Sequence, residues 1–177
     1  METNPGINSG ELARLDFCRD LTNDDCAILA SLAVPMDLEL QQVLFRCGEA
    51  ADACFLVERG LIALEICAAG IGCRRIGTAG PGELIGWSPF LADSCFSASA
   101  RAMQDSRVLR IPARKLRAAC DHNPEFGYRI LKRVVRVLAE RINATRMQML
   151  DMFGPEHPGI FDFPEPASPT GDVNENR

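Results

Sequence analysis

Between Val34 and Pro112 the chain is cut into short apolar runs, "QQVLFRCG", "ACFLVERG", "LIALEIC", "CRRIG" and "RVLRIP", with glycines about every 10 to 12 residues. No other feature restricts the fold so strongly. A parallel sheet needs a crossover of a dozen or more residues between strands, and these intervals have no room for one. Short strands separated by turns therefore predict an antiparallel sandwich or barrel. Gly48, Gly60, Gly70, Gly72 and Gly82 stand where the turns need positive backbone angles.

Beyond Pro112 the period becomes helical. "ARKLRAACD" suits a short helix, and "NPEFGYRILKRVVRVLAERINATRMQMLDMF" a long one, with Asn123 as its cap and Pro124 at the first helical position. Along the long helix Leu131, Val135, Leu138, Ile142, Thr145, Met149 and Met152 recur at alternating steps of four and three, a heptad seam. Ile130, Val134 and Val137 form a second stripe on an adjacent face. Two apolar faces need two partners. The chain's own barrel is one, and the same helix of a second copy is the economical choice for the other, making a homodimer; burial of both faces within a monomer is the alternative.

Ahead of the strands, "LTNDDCAILASLA" places Thr22 three residues before Asp25, a capping-box pattern that opens a helix to about Ala33. The expected layout is a partly flexible segment over 1–20 and one domain over 21–153. Within that domain we expect a helix at about 22–33, a β-roll at about 34–112 and C-terminal helices at about 113–153. A flexible proline-rich tail over 154–177 follows.

Several function classes are disfavoured. No apolar run approaches the roughly 18 to 20 residues that cross a bilayer, and "METNPGINSGEL" lacks the pattern of a secretory signal, so a cytoplasmic protein is expected. The net charge of −5 demands no nucleic acid, although 12 Lys/Arg against 4 Asp/Glu lie between Arg101 and Arg146. The 8 cysteines (Cys18, Cys26, Cys47, Cys54, Cys67, Cys73, Cys95 and Cys120) include no C-x-x-C pair. We expect no metal site, and free thiols acting as small buried hydrophobes. His122 precedes the helix cap, His157 lies in the tail, and "GWSPF" lacks the second glycine of a nucleophile elbow. Neither an enzyme nor a cofactor is expected.

The strings "LFRCGEAADACFLVERGLIALEI", "PGELIGWSPF", "SARAM", "VLRIPARKL" and "AERINATR" together resemble the cyclic-nucleotide-binding domain family that includes catabolite activator protein. The resemblance covers roughly Leu21 to Phe153. It implies an eight-stranded antiparallel jelly roll flanked by helices, dimerising through the long C-terminal helix.

In such a site backbone N–H groups at a helix start and one arginine hold the cyclic phosphate, while a carboxylate accepts from the ribose 2′-hydroxyl. By resemblance Gly82, Glu83 and Leu84 open the binding cassette, with Glu83 in the ribose role. The serine beside the phosphate-binding arginine falls at Ser97, and the arginine's own place falls at Phe96 or, with a one-residue shift, at Cys95. Neither is a cation. Arg101 lies five residues past Phe96, about 17 Å along a strand and on its opposite face, so it is no substitute. Loss of one charged hydrogen-bond partner weakens binding by about 10 to 100-fold, and ordinary cyclic AMP sensing is not expected. Thr145 matches the base-contacting threonine, and Arg146 stands where the pattern has a serine.

The resemblance implies a regulatory or sensor module that binds a nucleotide-like or other anionic small ligand in the β-roll and signals through a homodimer helix. The alternative is a ligand-independent homodimeric interaction module whose pocket is filled by Phe96 and Trp87. A protein partner fits either. A DNA-binding regulator is disfavoured, because only about two dozen proline-rich residues follow the long helix.

Overall fold

In the computed structural model residues 7–152 are described, apart from 69, 71 and 91–94. The tail expected over 154–177 lies outside them. Helix α1 (Ser9–Leu12), a 3-10 turn (Asp16–Cys18) and α2 (Asn23–Leu32) lead into eight strands. These are β1 (Val34–Leu38), β2 (Val43–Phe45), β3 (Ala53–Arg59), β4 (Ile62–Ala68), β5 (Gly72–Ala79), β6 (Leu84–Ile85), β7 (Ser99–Ala102) and β8 (Ser106–Pro112). Helices α3 (Ala113–His122) and α4 (Pro124–Met152) complete the described chain.

The strands form two four-stranded sheets, ordered β1-β8-β3-β6 and β2-β7-β4-β5, and every pairing is antiparallel. This is the antiparallel sandwich that the strand spacing predicted, in the form of the jelly roll with flanking helices that the resemblance implied. All five turn glycines adopt positive φ, from 77° at Gly72 to 97° at Gly60, and Gly86 joins them at 67°.

Strand alternation places two cores on opposite faces of the first sheet. β3 sends Cys54 and Leu56 outward toward the helices, and Ala53, Phe55 and Val57 inward to the roll. β6 splits the same way, Leu84 outward and Ile85 inward. The outer core joins these strands to Leu29 of α2, Leu116 of α3, and Phe126, Ile130 and Val134 of α4. One of the two stripes read along the long helix is therefore buried, with Val137 and Leu138 packed at its margin.

Local signals set the helix starts. The Thr22 hydroxyl accepts from Asp25 N–H at 3.2 Å, and the Asp25 carboxylate accepts from Thr22 N–H at 2.9 Å, closing the capping box. Asn123 caps α4 by accepting from Phe126 N–H at 3.1 Å. The N-terminal segment, expected only as a partly flexible lead-in, places Leu12, Phe17 and Cys18 in the outer core.

The cysteines split three ways. Cys18, Cys26 and Cys54 are the buried hydrophobes anticipated, and burial pushes the Cys18 and Cys54 thiols up to about 12. Cys120 is half-buried, while Cys47 and Cys95 are exposed. The expectation fails outright for Cys67 and Cys73. They face each other across β4 and β5 with Cα atoms 3.9 Å apart and form an exposed disulfide, because the antiparallel register makes them direct partners.

Candidate functional site

The turn from Gly80 into β6 is anchored on three sides. Gly82 donates its N–H to Val57 O at 2.8 Å, and its own carbonyl accepts from Phe17 N–H at 2.9 Å. With φ at +88° and Asp16 N only 2.6 Å from where a Cβ would sit, the position admits glycine alone. Glu83 closes its own turn, one carboxylate oxygen accepting from Gly80 N–H at 2.5 Å.

Phe96 turns its ring into the roll. Its ring stacks on Phe45, centroids 3.9 Å apart and planes 16° apart, with Phe55 5.5 Å beyond Phe45. Gly86 sits over this group, its missing Cβ only 3.1 Å from the Phe96 ring. Phe96 is 4% exposed, so of the two places that the resemblance offers for a cation, Phe96 and Cys95, the first lies in the apolar interior. Cys95 is exposed and bridges to Ala50. Arg101 pairs with Glu65 at 3.3 Å and donates to Gln41 O, away from the space beside the cassette, as expected for the opposite strand face.

Two neighbouring cavities lie between the roll and α4. The larger, about 490 Å³, is lined by Phe96, Ser97, Trp87 and Thr145 among others; the smaller, about 430 Å³, by Gly82, Glu83, Leu84 and Thr145. The sequence-derived candidates thus gather around one region, except Cys95, which lines neither. Leu64, Ile76, Arg141 and Thr145 border both cavities. Thr145 gives its hydroxyl proton to Arg141 O at 2.9 Å, within its own helix.

Arg141 is the residue that the sequence reading missed. Its guanidinium crosses from α4 to donate to Leu84 O at 2.6 Å, and burial pulls its affinity for a proton down, with the Glu83 charge opposing. Its place four residues before Thr145 puts both on one helix face, which was the available signal. Spacing alone does not show that the side chain reaches β6.

A second link ties α4 to the cassette. Arg133, 4% exposed, donates to Phe17 O at 2.7 Å, to Asp16 O, and to the Asp20 carboxylate at 2.9 Å. Phe17 in turn holds Gly82. The other face of α4 carries Leu131, Val135, Ile142 and Met149, all 52–56% exposed. Thr145 is exposed among them, Leu138 is half-buried, and the Met152 side chain lies outside the described residues.

No helix among the described residues is long and apolar enough to cross a membrane, and no cluster of metal-ligating side chains occurs among them. The sequence pattern of the cyclic nucleotide-binding domain matches residues 35–123. A protein of Rhodopseudomonas palustris named as a potassium channel is 29% identical over 125 residues, 70% of this chain and 30% of its own length. This chain thus spans less than a third of that relative.

Among solved structures, one described as a cyclic nucleotide-binding protein from Geobacter metallireducens superposes with a TM-score of 0.68 at 22% identity, covering 77% of this chain and 98% of its own. The c-di-GMP-responsive global regulator CLP of Xanthomonas campestris has the same TM-score at 16% identity, covering 75% of this chain and 65% of its own. At these identities the likeness is one of fold.

Proposed function

Because this chain belongs to the cyclic nucleotide-binding domain family, whose sequence pattern covers half of it, we propose that it is a regulatory module rather than an enzyme. It takes an anionic small ligand in the space between the β-roll and α4. The occupied state is passed on through α4 paired with the same helix of a second copy. The observation that carries this reading is Arg141, which belongs to the long helix, bonds the cassette strand at Leu84 O and borders both cavities. A ligand that draws on this guanidinium changes how the helix is held against the roll. Ligand and helix geometry are then coupled through one side chain.

The exposed stripe of Leu131, Val135, Ile142 and Met149 supports the homodimer, since apolar residues at heptad spacing on a solvent face match a like helix. We place the module in the cytoplasm, where the exposed Cys67–Cys73 disulfide is open to reduction and the β4–β5 ladder holds the hairpin in either state. The CLP regulator, of the same fold, is responsive to c-di-GMP, so cyclic dinucleotides belong beside cyclic mononucleotides among the ligands to test.

A second reading has its own observation: the Phe45, Phe55 and Phe96 rings already fill the inner end of the roll. On that reading the module is a constitutive dimer. Calorimetry with cyclic mono- and dinucleotides and other small anions, alongside sedimentation, separates the two. We expect heat from at least one anion and a dimer that the pair Leu131→Glu and Val135→Glu dissociates, weakening association by roughly 100-fold while the circular dichroism spectrum stays that of a folded protein. Flat traces at sub-millimolar ligand with an intact dimer favour the constitutive module. A wild-type monomer removes both.

A further inference from the structure

The larger cavity is apolar where a nucleotide site is polar. Leu64, Trp87, Phe96 and Leu138 wall it, and two more lining residues, Ile76 and Ile142, are left 44% and 52% exposed. A purine and ribose carry several donors and acceptors, each of which costs free energy when buried without a partner. Besides its arginines this wall offers three side-chain hydroxyls: those of Ser88, which is buried, of Ser97, and of Thr145, which donates to Arg141 O.

The cations beside the cavities are not equivalent. Arg133 and Arg136 are both held by Asp20 at 2.9 Å. Arg141, partly buried, engages among the described residues only the Leu84 carbonyl by hydrogen bond, and its fork keeps further N–H groups. Arg146, also lining the larger cavity, makes no ion pair among the described residues. A desolvated guanidinium beside an apolar wall is completed by a planar anion that brings its own apolar body. Glu83 and Glu140 line the smaller cavity on the other side of Arg141 and disfavour a more highly charged head.

We infer that the larger cavity takes a small apolar acid, its hydrocarbon or aromatic body lying against Trp87, Phe96, Leu138 and Ile142 and its single carboxylate paired with Arg141. The inference rests on the ligand-binding reading above and names the ligand class. The body of such an acid covers Ile142, a seam residue, so occupancy alters the apolar surface offered to a second copy.

Trp87 is the chain's only tryptophan and lines the cavity, so its emission reports binding directly. The full-length protein is titrated with decanoate, decanol and cyclic AMP, each also followed by thermal melting. Decanoate is expected to saturate one site, shift the Trp87 emission and bind at least about tenfold tighter than decanol. Arg141→Gln is expected to weaken decanoate by about 10 to 100-fold and to leave decanol within about threefold. Arg141→Lys, which keeps the charge but loses the planar fork, is expected to fall between. The wild-type comparison of acid with alcohol decides the matter even if the glutamine variant fails to fold.

Equal affinity for acid and alcohol overturns the inference, as does decanoate binding insensitive to both folded Arg141 variants. A saturable Trp87 response to cyclic AMP with silence toward decanoate overturns it while sustaining the proposed function. Silence toward decanoate and toward every anion tried overturns both.

Discussion

Phe96→Arg, which places a cation where the family resemblance calls for one, is expected to unfold the domain instead of creating a phosphate clamp. The ring it replaces is 4% exposed and stacked 3.9 Å from Phe45. Deleting such a ring costs about 3–5 kcal/mol, and an unpaired buried charge adds several more. The sum rivals the whole stability of a typical domain, about 5–15 kcal/mol. Phe96→Ala, which leaves only the hole, is expected to remain folded and to lose about 4 kcal/mol. Circular dichroism melts of both variants, with cyclic AMP calorimetry on whatever folds, check the pair. A Phe96→Arg protein that melts like the wild type and gains cyclic AMP affinity would show that this position faces the ligand.

Asp25→Ala is expected to lower stability by about 3 kcal/mol, or roughly 6–12 °C in melting temperature for a domain of this size. Asp25 is 1% exposed and carries two roles at once. It completes the capping box of α2, and it holds Arg129 of α4 through two bonds of 2.7 and 2.9 Å. Burial pushes its carboxyl pKa up, but the hydrogen bonds from Arg129 and Thr22 and the Arg129 charge outweigh that and hold it below the ordinary value. A carboxyl depressed in the folded state contributes stability above its unfolded pKa, about 3.9, and loses that contribution as pH falls through the lower folded value. Urea midpoints from about pH 6 down to about pH 2 should therefore fall more steeply for the wild type than for the alanine variant. Parallel slopes would mean that the Asp25–Arg129 bond adds nothing to the acid limb.

The cassette between Pro81 and Met103 shows how far reading along the chain reaches. Its turn glycines follow from residue type and spacing, and the missing cation from the family resemblance. What fills the missing place does not. That Phe96 stacks on Phe45 depends on β2 and the 95–96 segment meeting across the roll, some fifty residues apart in sequence. Arg141 makes the same point from the other direction. As one of several arginines on a basic helix its only local mark is the four-residue step to Thr145, which does not show that across 57 residues its guanidinium meets Leu84. The disulfide was missed for a different reason. Cys67 and Cys73 become partners only through the register of the β4–β5 hairpin, and six residues of spacing do not fix a register.

The two cores divide along the same line. The short apolar run in "ACFLVER" marks a strand, but its five consecutive buried residues gain meaning only when helices cover one face and the second sheet the other. The heptad stripe is legible residue by residue, and so is its neighbour. Which stripe the chain buries is settled by how α4 docks, with Ile130 and Val134 inside and Leu131 and Val135 in solvent.

Taken alone, the sequence determined the antiparallel roll, the turn positions and the capped helices, each encoded within a few residues in side-chain period, φ preference and residue identity; the family was legible from the resemblance that its motifs carry. Tertiary structure alone decided that an arginine from the long helix stands beside the cavity, that Phe96 belongs to the interior, and that Asp25 grips Arg129 from 104 positions away. Those contacts join segments whose separation leaves no local trace, and packing and charge neutralisation select them only once the chain has closed on itself.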